Sequence, residues 1–201
     1  MLQGIDVSTY QRQPDWGVVA QSGTVTFVYA KCTEGTNYVD DQYSRNKIVC
    51  AERGLPMGAY HFFHPGQDPI AQADHFALIA SPRAGELVPM VDVEVSEGYD
   101  AAGMVKRLGA FVESVEHKIG RSMLIYASYA FWNGELGGTD GFSGHPRLWV
   151  AAYNSDPAPP IPNGWNDWVL WQWSDNGQIP GIIGAVDQDR FNGTDLKGIT
   201  L

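Results

Sequence analysis

The sequence predicts an α/β fold in a single domain, a TIM-like barrel of eight strands whose last helices are missing. Five strand-like segments each precede a helical pattern, which implies a parallel sheet with right-handed crossovers. Three more strand-like segments follow without helices between them, so the total of eight suggests closure into a barrel. The length of 201 residues and the 44% hydrophobic content suit one such domain over residues 1–201.

The individual elements follow from apolar periodicity and from helix start and stop signals. The five strand–helix pairs are 4–7 with 15–21, 25–32 with 40–52, 55–63 with 69–80, 87–94 with 101–119, and 122–127 with 129–136. The helix after Asp100 is the clearest, because its apolar residues from Met104 to Ile119 lie on one stripe. The last strands, 148–152, 168–173 and 185–187, are separated by segments rich in Gly, Pro, Asn and Asp.

The charge balance limits the possible partners. The chain carries 13 Lys and Arg against 23 Asp and Glu, a net charge of -10, which argues against a nucleic-acid partner held by phosphate contacts. We also expect no membrane partner, because no apolar run is long enough to span a bilayer, and we expect a monomer. No signal peptide is visible, so the protein stays in the cell, leaves by an unusual route, or is a mature form.

The two cysteines, Cys32 and Cys50, are too few for a disulfide framework and lack the spacing of metal ligands. They could form a bridge only if the strand with Cys32 packs against the helix with Cys50. Two buried thiols are the favoured interpretation.

The most informative segment is a hydrophobic strand, 87–94, that ends in the acids Asp92 and Glu94. Side chains two residues apart on a strand point to the same side, so both carboxyl groups reach one site. Neighbouring carboxyls separate in pKa, which provides one proton donor and one negative charge. Cleavage of a glycosidic bond needs that combination. The alternative, acids near a helix N terminus, fits Glu97 and Asp100 better.

Two further acids lie at the ends of the first and last predicted strands. Closing the barrel would bring Asp6 and Asp187 together near Asp92 and Glu94, although a turn or capping role for Asp6 is equally compatible with its sequence context. Asp189 follows two residues later, and we expect it to pair with Arg190 or to cap a turn.

Other polar and aromatic residues near strand ends are candidates for sugar binding, because sugar rings stack on aromatic faces and their hydroxyls bind carboxylates and amides. By alternation, Trp171 and Trp173 share the face opposite Gln172. The substrate-binding candidates are Glu34, Tyr60, Phe62, Tyr126, Trp149, Tyr153 and Gln172.

His61 and His64 could in principle ligate a metal. Residues three apart on a strand face opposite sides, however, and the chain has no His-Glu-x-x-His helix. We therefore expect no metal and no other cofactor.

Six blocks of this sequence resemble glycoside hydrolase family 25, the Chalaropsis-type lysozymes or N-acetylmuramidases. The blocks follow the family order and span nearly the whole chain. They are GIDVS at 4–8, KCTEG at 31–35, GAYHF at 58–62, DVE at 92–94, LWQW at 170–173 and VDQDRF at 186–191. Cys32 departs from the small residue expected at its position.

The resemblance implies an irregular (β/α)5(β)3 barrel that hydrolyses the β-1,4 bond between N-acetylmuramic acid and N-acetylglucosamine in the glycan strands of bacterial peptidoglycan. It further implies that Glu94 is the proton donor, Asp92 its partner, and Asp6 and Asp187 the remaining acids of the cleft. The expected setting is the cell wall, reached by secretion or, for a phage endolysin, through a holin. The competing interpretations are a metal-dependent polysaccharide deacetylase using Asp6, Asp187 and a histidine, and a non-catalytic glycan-binding module.

Overall fold

The computed structural model describes residues 1–201 and contains nine strands and five α-helices. The strands are β1 (Leu2–Val7), β2 (Phe27–Glu34), β3 (Tyr38–Val39), β4 (Met57–Phe62), β5 (Met90–Asp92), β6 (Leu124–Ser128), β7 (Leu148–Ala151), β8 (Leu170–Gly177) and β9 (Val186–Phe191). The helices are α1 (Trp16–Ser22), α2 (Tyr43–Glu52), α3 (Pro69–Ala80), α4 (Ala101–Ile119) and α5 (Tyr129–Gly134). Short 3-10 helices cover Thr9–Gln11 and Leu196–Ile199.

Eight of the strands close into a barrel in the order β1-β9-β8-β7-β6-β5-β4-β2, with β2 pairing back onto β1. All neighbouring pairs are parallel except those of β9, which runs antiparallel to both β8 and β1. Five strands carry crossover helices and the last three do not, so the predicted irregular (β/α)5(β)3 barrel is confirmed.

The helix boundaries follow from capping. The side chain of Asp68 accepts hydrogen bonds from the N–H groups of Ile70 and Ala71 at the start of α3, where Pro69 occupies the first turn. Asp100 caps α4 in the same way, and Gly120 ends it in a left-handed conformation. Both helices have the predicted limits, since these signals are local in the sequence.

Two cores hold the barrel together. A cluster of 38 buried residues packs between the outside of the barrel and the helices, and a second cluster of 13 fills the barrel interior. Gly4 and Gly58 make the interior packing possible, because a Cβ there would lie 2.2 Å from the Phe27 ring and 2.3 Å from the Tyr29 ring. The lower barrel is therefore filled, and the functional space is confined to its mouth.

Several details differ from the predictions. The short β3 strand forms a hairpin with β2 over residues predicted as a loop, and β5 is shorter than predicted. β8 and β9 extend beyond their predicted ends because they pair with each other. Cys32 and Cys50 are buried free thiols, as favoured from the sequence. None of the helices is both long and apolar enough to cross a membrane.

Candidate active site

A cleft opens at the end of the barrel where the parallel strands finish, and all four predicted catalytic acids line it: Asp6, Asp92, Glu94 and Asp187. We call these four residues the acid cluster. Asp92 ends β5 and lies in register with Phe62 of β4 and Tyr126 of β6. Alternation along the strand places Glu94 on the same side as Asp92, as the sequence predicted.

Asp187 reaches the cleft for a different reason than the one predicted. The sequence placed it at the end of the last strand, whereas it is the second residue of β9. Because β9 runs antiparallel to β1, its beginning lies at the mouth, and Asp187 pairs directly with Asp6. The predicted proximity of Asp6 and Asp187 is present, but the reversed direction of β9 produces it.

Burial raises the pKa of every member of the acid cluster, and repulsion from neighbouring acids adds to the shift for Asp6, Asp92 and Asp187. Asp6 and Asp92 are each 8% exposed, and burial is the largest cause of their raised pKa, followed by Asp187 for Asp6 and by Glu94 for Asp92. The pKa of Asp187 is raised to about 6 by burial and by Asp175 and Glu94. The cluster therefore retains protons at a pH where isolated carboxyls have lost them.

Glu94 differs from Asp92 in its access to solvent. The residue as a whole is exposed in the cleft, but desolvation of its carboxyl group still raises its pKa, while interactions with Tyr126 and Asp92 oppose the shift. A carboxyl group that is accessible and has a raised pKa is suited to donate a proton to a bound ligand.

Gln172 organises the floor of the cleft. Its amide nitrogen donates a 2.7 Å hydrogen bond to Oδ2 of Asp6, and its Oε1 accepts hydrogen bonds from the hydroxyls of Tyr126 at 2.9 Å and Tyr153 at 2.8 Å. This network fixes the orientation of the amide and joins strands β1, β6 and β8. The sequence predicted that Trp171 and Gln172 face opposite sides of β8, and Trp171 indeed packs in the outer core.

A second set of charged residues borders the cleft, and we call it the ion-paired group: Lys31, Glu34, His64 and Glu97. Lys31 Nζ contacts Glu34 at 2.6 Å, His64 Nε2 contacts Glu34 at 2.9 Å, and His64 Nδ1 contacts Glu97 at 2.6 Å. Hydrogen bonds from Lys31 and His64 outweigh desolvation and lower the pKa of Glu34. Glu34 lines the cleft as predicted, but its carboxylate is already paired.

The predicted aromatic residues divide by depth. Tyr60, Phe62, Tyr126 and Tyr153 line the cleft. Tyr60 and Tyr126 are only 7% and 6% exposed, so they present little of their rings, while Tyr153 is 54% exposed.

The prediction that Trp149 binds substrate is wrong. It is 0% exposed and lies inside the barrel, where it packs edge-on against Tyr29 and Tyr126. Its strand, β7, turns the side chain inward one level below the mouth, so it supports the cleft from beneath and cannot touch a ligand there.

The expected role of Asp189, pairing with Arg190 or capping a turn, is also wrong. It neither pairs with Arg190 nor caps a turn; it is 0% exposed inside the barrel, and neither carboxyl oxygen makes a hydrogen bond. Arg190 points outward instead, with its guanidinium 4.4 Å from the Trp173 ring centre. Burial, Asp6 and Asp187 raise the pKa of Asp189 strongly, and Trp149 opposes this only in part. Asp189 is thus a buried acid with a strongly raised pKa beneath the cluster.

The cleft also contains residues that the sequence did not indicate as ligand-binding, including Ser8, Tyr10, Gln11 and Lys31. Lys31 is the only Lys, Arg or His among the lining residues. Its signal was present, since a lysine within an otherwise apolar strand and three residues before Glu34 is unusual. Tyr10 gave no signal because its 3-10 helix is only three residues long, too short for a periodic pattern to show which way the side chain points.

The two candidate histidines face different environments. His61 is buried between the barrel and the helices, where its ring nitrogens contact Thr33 and Gln72, and burial lowers its pKa to about 3. His64 belongs to the ion-paired group. No three His, Cys, Asp or Glu side chains in the molecule are arranged to hold a metal ion, so the geometry does not favour the deacetylase interpretation.

Comparison with known proteins agrees with this geometry. The family model described as glycosyl hydrolases family 25 matches residues 5–182, nearly nine-tenths of the chain. The chain belongs to glycosyl hydrolases family 25. Lysozyme M1 of Streptomyces globisporus is 33% identical, over all of this chain and 71% of its own length. N,O-diacetylmuramidase of Chalaropsis is 32% identical, over 92% of this chain and 96% of its own length.

Solved structures of family members have the same architecture. The bacterial lysozyme from Streptomyces coelicolor superposes with a TM-score of 0.90 at 33% identity, covering 96% of this chain and 93% of its own. The family GH25 lysozyme from Aspergillus fumigatus superposes with a TM-score of 0.86 at 30% identity, covering 96% of this chain and 94% of its own. The resemblance inferred from the six sequence blocks is confirmed.

Proposed function

We propose that this protein is an N-acetylmuramidase, a lysozyme that hydrolyses the β-1,4 bond between N-acetylmuramic acid and N-acetylglucosamine in bacterial peptidoglycan. The observation that carries the proposal is the acid cluster: four carboxyl groups share one open cleft, and the single lining cation is already paired with Glu34. Family membership and the names of the lysozyme and N,O-diacetylmuramidase relatives support the same activity.

Glu94 is the proposed general acid. It is the member of the cluster most open to solvent, and desolvation raises its pKa, so it retains to higher pH a proton that it can transfer to the departing glycosidic oxygen. A positioned general acid contributes roughly 10²- to 10⁴-fold to such a reaction.

Asp92 is the proposed partner of Glu94 at the reacting sugar. Its Oδ1 is buried and has no hydrogen-bond partner, which leaves an acceptor or a negative charge available next to the general acid. Two routes fit this position: Asp92 attacks or stabilises the oxocarbenium-like centre, or it orients the 2-acetamido group of the substrate for attack. Asp6 and Asp187 are the other two acids of the cleft, and both have a raised pKa beside this pair.

Binding of the sugar is assigned to the remaining lining residues. Tyr153 offers an exposed aromatic surface, Gln172 and Tyr126 offer an organised amide and hydroxyl, and Phe62 and Tyr60 form the apolar wall. Glu34 contributes the free lone pairs of a carboxylate already held by Lys31 and His64.

The proposed site of action is the cell wall, and the proposed working form is a monomer. Binding depends on contacts within the cleft, because the net charge of -10 provides no general attraction to an anionic wall. Light scattering of the purified protein at the mass of one 22.1 kDa chain would support the monomer, and a doubled mass would contradict it.

The deciding experiment is digestion of purified peptidoglycan with the wild-type protein and with Glu94→Gln, followed by borohydride reduction and mass spectrometry. We expect muramitol ends from the wild type and almost none from the variant. Glucosaminitol ends would mean that another bond is cut, and the absence of new reducing ends would favour a glycan-binding module.

A further inference from the structure

Among the large side chains that border the cleft, that of Tyr10 is the most exposed. Its side chain is 86% exposed, compared with 54% for Tyr153, the next most exposed aromatic residue of the cleft. The exposed tyrosines elsewhere, such as Tyr129, do not line it. An aromatic ring that is this exposed contributes little to the core, so its position calls for a role outside folding.

The short helix that carries Tyr10 is held by contacts from three parts of the chain. Ser8 and Gln11 form a reciprocal capping box around it. The backbone N–H of Thr9 donates to Asp40 Oδ2 at 2.9 Å, and Gln11 Nε2 donates to the carbonyl of Ala185 at 3.3 Å. The segment then leaves through Arg12, which has a positive φ of 55°. These contacts fix the backbone, so the exposed ring is presented from a defined position.

The position of Tyr10 separates it from the reacting bond. Tyr10 follows β1, while Asp92 ends β5 and Glu94 lies two residues beyond it, and the closed barrel places β2 and β4 between these strands. Three strand spacings correspond to roughly 14 Å along the barrel wall. A sugar ring on Tyr10 is therefore neither of the two rings joined by the bond that Glu94 would help to cleave.

We propose that Tyr10 is a stacking platform for a further sugar ring of the glycan strand, so that it determines preference for long strands. The proposal rests on the muramidase function proposed above. A sugar ring presents an apolar C–H face, and a tyrosine ring exposed on a fixed support is suited to pack against it. Tyr10 then acts on binding of the strand and not on bond cleavage itself.

The test uses soluble, uncrosslinked glycan strands of two lengths: one of at least eight sugars and one of four. For Tyr10→Ala we expect KM on the long strand to rise about three- to tenfold with kcat unchanged. The four-sugar strand has only two rings on each side of its central bond, too few to reach Tyr10 while that bond lies at Glu94, so its KM should show little change. Tyr10→Phe keeps the ring and should restore the KM of the wild type.

Tyr129→Ala is the matched control, because Tyr129 is also an exposed tyrosine but lies outside the cleft. Equal KM values for Tyr10→Ala and wild type on the long strand would overturn the platform, as would a loss that is the same for both lengths. Because the ring is exposed, its removal should leave the fold intact, and equal melting temperatures would confirm this.

A binding experiment separates failure of the platform from failure of the proposed function. Affinity for the long strand is measured by calorimetry for Glu94→Gln alone and for Glu94→Gln combined with Tyr10→Ala. A weaker double variant supports the platform even if the wild type releases no muramitol ends. Equal affinities overturn the platform even if the wild type is an active muramidase.

Discussion

The acid cluster and the ion-paired group are neighbouring sets of charged residues with opposite electrostatics. In the acid cluster, Asp6, Asp92, Glu94 and Asp187 face one another, and all four pKa values are raised. In the ion-paired group, Lys31 and His64 bind Glu34, and His64 also binds Glu97, so the pKa of both glutamates is lowered. The two sets meet in the same cleft, where Lys31 and Glu34 are part of the lining.

The difference shows how the molecule assigns roles to carboxyl groups. Glu94 and Glu97 are three residues apart, but the first faces other acids and the second faces His64 and the N–H of Gly66. Desolvation raises the pKa of the first, whereas hydrogen bonding to His64 lowers the pKa of the second. The acid cluster therefore has the properties needed for proton transfer, and the ion-paired group supports the loops beside it.

The largest expected effect is the difference between Glu94→Gln and Glu97→Gln. Both variants replace one carboxyl group of the same loop by an amide. We expect Glu94→Gln to lower kcat by roughly 10²- to 10⁴-fold, because the proton donor is lost. Glu97→Gln should keep kcat within a few-fold of the wild type. Release of reducing ends from peptidoglycan measures both, and similar losses in the two variants would remove the distinction between the two sets.

Asp187→Asn tests whether repulsion inside the acid cluster sets the pH range of activity. Removing this charge lowers the pKa of the remaining acids, and a general acid must be protonated to act. The alkaline limb of the kcat/KM profile should therefore move to lower pH, by on the order of one unit. The profile reports the coupled cluster as a whole.

The control for that variant is Asp175→Asn. Asp175 is exposed outside the cleft, but its charge also raises the pKa of Asp187. We expect a smaller displacement of the limb in the same direction. An unchanged profile in Asp187→Asn would show that repulsion from Asp187 does not govern the proton donor.

Much of the fold was predictable because its signals are local. The limits of α3 and α4 follow from Asp68 and Asp100 as capping residues, and the alternation of β8 correctly separates Gln172 from Trp171. The direction of β9 was not predictable, since antiparallel closure depends on how the whole barrel joins. Asp187 was therefore assigned to the correct cleft with an incorrect position on its strand.

The site was predictable in its acids and less so in their surroundings. A strand that ends in Asp92 and Glu94 directs both to one side whatever the tertiary structure, so the pair could be found by spacing alone. Depth within a barrel has no such local signal, which is why Trp149 was expected in the cleft although it is buried beneath it. The same limitation concealed Asp189, whose isolation depends on strands distant in sequence.

Asp189→Asn tests whether the buried acid beneath the cleft also has a raised pKa. The pKa of Asp189 is raised in the folded state, so its contribution to stability is present below the unfolded pKa near 4 and is lost as pH rises through the folded pKa. Asparagine has nearly the same shape and does not ionise. The variant should therefore gain stability relative to the wild type as pH rises, by up to about 1.4 kcal/mol for each pH unit in that interval.

Urea unfolding at several pH values between about 4 and 9, roughly the span over which a carboxyl with a raised pKa titrates, measures this difference. Parallel stability curves for Asp189→Asn and the wild type would mean that Asp189 binds no additional proton on folding. That result would limit the raised pKa values to the acids of the cleft.

The smallest expected effect concerns His64 in the ion-paired group. The hydrogen bonds that the His64 ring donates to Glu34 and Glu97 outweigh desolvation and raise its pKa, so the stabilisation by the charged imidazole is complete below about pH 6.5 and is lost as pH rises through the folded pKa. Partly exposed ion pairs contribute about 0 to 1 kcal/mol. His64→Gln should therefore be less stable than the wild type by less than about 1 kcal/mol at low pH, and the difference should shrink at high pH. As pH rises, His64→Gln and Asp189→Asn should both become more stable relative to the wild type, because both side chains have a raised pKa in the folded state. The change should begin near about pH 4 for Asp189→Asn and near about pH 6.5 for His64→Gln, so its pH interval distinguishes the buried acid from the paired imidazole in the same unfolding experiment.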